Sequence, residues 1–95
     1  MSMKKEYEKK LEAKLDEWSA QIDKLKAQAE SEKADKKIEY HEQIDKLKSM
    51  QATANDKLTE LKNSSDNAWE DLKSGIENAW DSLGDAIKSA SSRFK

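Results

Sequence analysis

From Tyr7 to Ala29 the apolar positions fall at 7, 11, 15, 18, 22, 25 and 29, separated by steps of three or four. Residues at those separations share one face of an α-helix, so the pattern predicts a helix with a mostly heptad-like seam. Leu11, Leu15, Trp18, Ile22 and Leu25 form that seam, and Lys and Glu fill most of the other positions. Glu6–Lys10, Glu32–Lys36 and Glu42–Lys46 place Glu four residues before Lys, each pair adding about 0.2–0.5 kcal/mol to local helix stability. Between Ala29 and Tyr40 the seam thins to Lys33 and either Lys36 or Lys37, while Ala34 and Ile38 lie to the side. Lysine stems could cover the stripe there, or the chain could turn back as a hairpin. "SEKADKK" at 31–37 holds no Gly, Pro or Asn, which favours a continuous helix.

The stripe resumes at Tyr40, Ile44 and Leu47, and a repeat appears with it. "QIDKLK" at 21–26 returns unchanged at 43–48, with Trp18 and Tyr40 in equivalent places before the two copies. Gln51, Ala54, Leu58 and Leu61 carry the face onward. A helix over residues 4–62 would be about 90 Å long. "KNSSDNAWED" at 62–71 is the plausible boundary, because Asn, Ser and Asp side chains compete for backbone groups and prefer caps. Asn67 with Glu70 has the spacing of a capping box. The stripe nevertheless keeps phase through Leu58, Leu61, Ser65, Trp69, Leu72 and Ile76. A continuous helix is therefore slightly favoured over a bend or a second helix near 63–67.

Past this boundary "NAWEDLKSGIE" is followed by "NAWDSLGDAIK", a repeat of eleven residues. Three helical turns take about 10.8 residues, so this period keeps a stripe nearly straight along the axis. Trp69 and Trp80, Leu72 and Leu83, and Ile76 and Ile87 share one face. Leu58 and Leu61 form an earlier, weaker copy, and Phe94 stands where Leu72 and Leu83 would recur. Ala68, Gly75, Ala79, Ala86 and Ala90 run beside the large residues and broaden the face. Burying each large side chain is worth about 1.5–3 kcal/mol, so this face calls for a cover.

Composition narrows the chemistry. Of 95 residues, 40% are charged and 35% hydrophobic, and there is no Cys, no Pro and only two Gly. A chain so charged builds a thin core, and its residue set suits long solvent-bathed helices. The charge is balanced: residues 1–62 carry 14 Lys against 14 acidic groups, and residues 63–95 carry 4 basic against 6 acidic. Neither part has the basic excess that a phosphate backbone requires, so no nucleic-acid partner is expected. Without Cys there are no disulfides or thiolate metal sites. His41, the single histidine, lies among carboxylates in "EYHEQ" and reads as a surface residue, with no second His to complete a metal or catalytic site. No catalytic residues, cofactor or metal is expected. The charged start "MSMKKEYEKKLEAK" has no apolar signal-peptide core, and no apolar run approaches a membrane span. The expectation is a soluble, cytoplasmic, non-enzymatic protein.

The stretch "AWEDLKSGIENAWDSLGDAIKSASSRFK", preceded by "KLEAKLDEWSAQIDKLKAQAE", resembles a family of short bacterial coiled-coil proteins, uncharacterised or labelled as stress-response proteins. The resemblance implies an all-helical, non-enzymatic cytoplasmic protein with a stress link, and transfers no catalytic or binding residues. The eleven-residue pattern is also similar to that of exchangeable lipid-binding helices such as apolipoproteins. Here, however, the polar face near the Trp residues is acidic, which fits anionic membranes poorly.

These readings converge on an all-α chain: a charged coiled-coil helix over 1–62, an eleven-residue-repeat amphipathic helix over 63–95, and a frayed end at 91–95. It is expected to form a coiled coil or helical bundle by self-association into a homo-oligomer. The interface would comprise Trp69, Leu72, Ile76, Trp80, Leu83 and Ile87, with Leu11, Leu15, Trp18, Ile22 and Leu25 as a second seam and Ile44, Leu47, Leu58 and Leu61 continuing it. The alternatives are docking of the Trp face on a lipid or protein surface, and a chaperone-like protective role.

Overall fold

The computed structural model describes residues 3–94, and they form three helices: α1 (Met3–Glu30), α2 (Ala34–Asn63) and α3 (Trp69–Arg93). Each helix turns its apolar stripe inward, giving a rod of 51 × 19 × 18 Å. The contiguous core draws Leu11, Leu15, Ile22 and Leu25 from α1, Ile44, Leu47, Leu58 and Leu61 from α2, and Trp69, Ile76, Trp80, Leu83 and Ile87 from α3. No polar or charged residue among those described is buried. Charged end-turn residues complement the backbone dipoles of α2 and α3: Asp35 and Lys62 on α2, Glu70, Asp71 and Arg93 on α3.

The continuous helix expected over 4–62 is two helices. α1 ends at Glu30, and the chain reverses through residues 31–33. The turn is tightened by backbone bonds from the Ser31 and Glu32 N–H groups to the carbonyls of Gln28 and Ala29. The Ser31 hydroxyl also donates to the Gln28 carbonyl at 2.8 Å. Lys33 then lies extended, with φ −68° and ψ 157°, and α2 begins. No described residue has a positive φ, so this turn needs neither Gly nor Asn. The missing stretch of apolar residues, read as lysine-covered stripe, is where the chain leaves the core.

A second break separates α2 from α3 at residues 64–68, where continuity had been slightly favoured. The Ser64 hydroxyl donates to the Leu61 carbonyl at 2.6 Å, competing with the next helical turn. α3 starts from Ser65: its backbone carbonyl accepts the N–H groups of Ala68 and Trp69, and its hydroxyl also accepts that of Ala68 at 3.1 Å. The expected Asn67–Glu70 capping box is not used; Ala68 occupies the cap position with no side-chain cap bond.

The expected fraying past Ala90 is also corrected. α3 runs to Arg93, and Phe94 is buried and stacked on Tyr40 with ring centroids 3.9 Å apart. Burial of this eleven-residue-repeat position holds the end down. Lys95, the remaining residue of that segment, lies outside the described residues.

Candidate functional site

The apolar stripes singled out in the sequence lie in the interior of one chain. Thirteen of the fifteen residues expected to mediate association are buried, while Trp18 and Leu72 are half-buried against the same core. Ile76, Leu83 and Ile87 of α3 are almost fully enclosed, as are Ile44, Leu47 and Leu61 of α2. The surface covering the Trp face is therefore supplied by α1 and α2. Tyr7, Ala29, Tyr40, Ala54, Ala90 and Phe94 join the core or pack on it, although they were outside the expected interface. Tyr7, Ala29, Tyr40 and Ala54 had lain on the stripe, and Phe94 on the eleven-residue repeat, so periodicity was the signal for them. Of the small residues beside the Trp repeat, Ala90 is buried and Ala79 and Ala86 half-buried, but Ala68 and Gly75 face solvent.

All three tryptophans take part in the contact between α1 and α3 or its margin. Tyr7 of α1 meets Trp69 at a centroid separation of 5.7 Å, and the Lys73 ammonium lies 5.5 Å and 5.8 Å from the two ring centres. The Trp80 indole N–H donates to the Leu11 carbonyl at 3.4 Å. Trp18 packs over Gly84, where a Cβ would stand 3.1 Å from the indole. A shallow groove of about 330 Å³ follows this seam, lined by Tyr7, Leu11, Trp18 and Trp80 and edged by both lysines and carboxylates. Within it the Tyr7 hydroxyl is buried without a hydrogen-bond partner. Burial first, then the Glu77 and Asp81 carboxylates, push its pKa above the ordinary tyrosine value; Glu77 acts on it without reaching good hydrogen-bond geometry.

Polar contacts across α1 and α2 fix the register of the hairpin. Near the turn, Glu30 receives Lys37 at 3.4 Å and His41 at 3.0 Å. At the far end Glu12 pairs with Lys62, and Lys4 donates to the carbonyls of Lys62 and Ser64. The hydrogen bond that the Lys62 ammonium donates to the Glu12 carboxylate holds its pKa above the usual value. Between these ends Asp16 and Ser19 share a surface cavity with Lys48 and Gln51. In this register the two copies of "QIDKLK" lie opposite one another and run in opposite directions. By this register Ile22 and Leu25 lie level with Leu47 and Ile44, and all four are buried in the core.

Among the described residues, no group of three or more His, Cys, Asp or Glu is placed to hold a metal ion. Nor is any described helix long and apolar enough to cross a membrane. Comparison of the chain with protein-family models, with curated proteins and with solved structures finds no match.

Proposed function

We propose that this protein is a non-enzymatic structural or interaction protein whose apolar stripes recognise copies of themselves. The observation carrying this reading is the opposed placement of the duplicated hexapeptide, 21–26 against 43–48, across the α1–α2 contact. A surface that packs on its own duplicate is complementary to the same surface of another molecule. At low concentration the pairing is made within one chain, because the tethered helix has the higher effective concentration. At high concentration the same pairing joins chains. Sedimentation equilibrium over a wide concentration range tests this reading. A species of twice the 10.9 kDa chain mass should grow with concentration; a particle of single-chain mass throughout overturns it.

A second reading is supported by the character of α3, whose apolar face carries two tryptophans among six buried residues. Released from α1 and α2, that face would suit a neutral lipid surface, since the helix carries Glu70, Asp71, Glu77, Asp81 and Asp85 against Lys73, Lys88 and Arg93. Tryptophan emission should then shift to the blue on vesicles of zwitterionic lipid. Unchanged emission on both zwitterionic and anionic vesicles removes this reading.

A further inference from the structure

We infer that residues 31–33 are a hinge whose straightening fuses α1 and α2 into one helix and lets two copies exchange α1. The inference rests on the self-association reading and supplies its route. The hinge is lightly held: two backbone bonds and the Ser31 hydroxyl close it, and Lys33 caps α2 with no side-chain bond. No residue in it has a backbone conformation that a helix would forbid to its side chain. In a straight helix, the carbonyls ending α1 and the N–H groups starting α2 would find partners in each other. The helical phase already runs through, from Ala29 by way of Lys33 and Lys36 to Tyr40.

Exchange keeps every contact outside the hinge. Two straight helices lying antiparallel place "QIDKLK" of one copy against "QIDKLK" of the other, as in the hairpin. Glu30 again meets a lysine and a histidine equivalent to Lys37 and His41, now from the second copy. α3 stays with its own α2, so each end of the longer rod rebuilds the three-helix bundle. What opposes exchange also lies in the hinge. The antiparallel register brings Lys33 of one copy beside Lys36 of the other, twice, around the dimer axis. In the single chain both lysines are exposed. Like charges on a shared seam weight the equilibrium toward the single chain, and salt relaxes that bias. The hinge lysines therefore set the balance between one chain and two.

Two substitutions pull the hinge in opposite directions. Ala34 is the first residue of α2 and follows an extended Lys33, a position that accepts proline in the hairpin and rejects it within a straight helix. Lys33→Leu/Lys36→Leu removes the repulsion and completes the stripe. Wild type, Ala34→Pro, the double-Leu variant and their combination are compared by light scattering on a sizing column and by small-angle scattering, at low and high salt. The double-Leu variant should raise the dimer fraction at least tenfold, and Ala34→Pro should lower it at least tenfold in either background. Salt should raise the wild-type dimer fraction. The dimer should have a maximum dimension near 90 Å, from about 61 helical residues at 1.5 Å each, against 51 Å for the single chain. A dimer that is short, or that forms equally well with Ala34→Pro, overturns the hinge while leaving self-association standing. A double-Leu variant that never dimerises also overturns the hinge, and the wild-type concentration series then judges self-association separately. An extended double-Leu dimer beside a wild type that stays single supports the hinge and removes the self-association reading for the natural chain.

Discussion

Gly75 and Gly84 both lie inside α3, and a methyl group would meet a different fate at each. A Cβ at Gly75 finds nothing within 4 Å, whereas one at Gly84 stands 3.1 Å from the Trp18 indole. Glycine in a helix interior costs about 0.5–1 kcal/mol relative to alanine, because the unfolded chain has more freedom to lose. Gly75→Ala should therefore stabilise the protein by that amount in urea denaturation. Gly84→Ala gains the same backbone term but forces the half-buried Trp18 ring outward, so it should gain less or lose stability, with a change in tryptophan emission. Equal gains at both positions would mean that the close approach of Trp18 to α3 carries no energetic weight. The two glycines look alike in the sequence, and only the packing of α1 on α3 separates them.

At the scale of elements, Ser65 is the residue on which the start of α3 depends. Its carbonyl and hydroxyl together satisfy N–H groups that otherwise have no partner at a helix start. Ser65→Ala removes the hydroxyl but leaves both bonds to the carbonyl, so it should cost no more than about 0.5 kcal/mol, the low end for a lost serine cap, read as a slightly lower urea midpoint. Asn67→Ala, at the expected but unused cap, should change little. This contrast shows what was legible in the sequence. Spacing of apolar residues gave the helical faces, and the periodicity of Leu11, Leu25, Ile44, Leu61, Trp80 and Ile87 correctly marked a covered surface. The breaks were harder to read. At 31–33 the turn uses only negative φ values, so no glycine announces it; its trace was the run from Ser31 to Glu39, which offered only Ala34 and Ile38, both exposed, in place of a buried stripe. At 64–68 the Ser-rich segment was recognised as a boundary, but a stripe that stays in phase cannot reveal whether the axis bends. Whether the stripe is covered by its own chain or another depends on those two turns. Periodicity carries no information on that point.

The whole molecule is a narrow rod with a thin, wholly apolar core and its charges outside, so its dependence on pH lies in the contacts at its seams. Among the described residues two pKa values are clearly raised, those of Tyr7 between α1 and α3 and of Lys62 beside Glu12 of α1. A group whose folded pKa lies above its unfolded value contributes stability that is fully present below the unfolded value. That contribution is lost as the pH rises through the folded one. Both groups therefore point to the alkaline side, from about pH 10 upward for tyrosine. Lys62 is exposed at the surface and solvent screens its pair, so the weight falls on Tyr7. Ionising that hydroxyl would place a phenolate in the seam beside Glu77 and Asp81, with no hydrogen bond to hold it. Stability measured by urea should fall above about pH 10. Tyr7→Phe removes the titrating group and a buried hydroxyl without a partner, a feature that costs about 1–3 kcal/mol when fully desolvated. The variant should be at least as stable as wild type at neutral pH and should lose stability less steeply in alkali, by up to one proton in the slope. Every other ionisable group is common to the two proteins, so the difference between the two slopes isolates Tyr7. Identical slopes would place the Tyr7 hydroxyl in water and leave the α1–α3 seam open where the structure closes it.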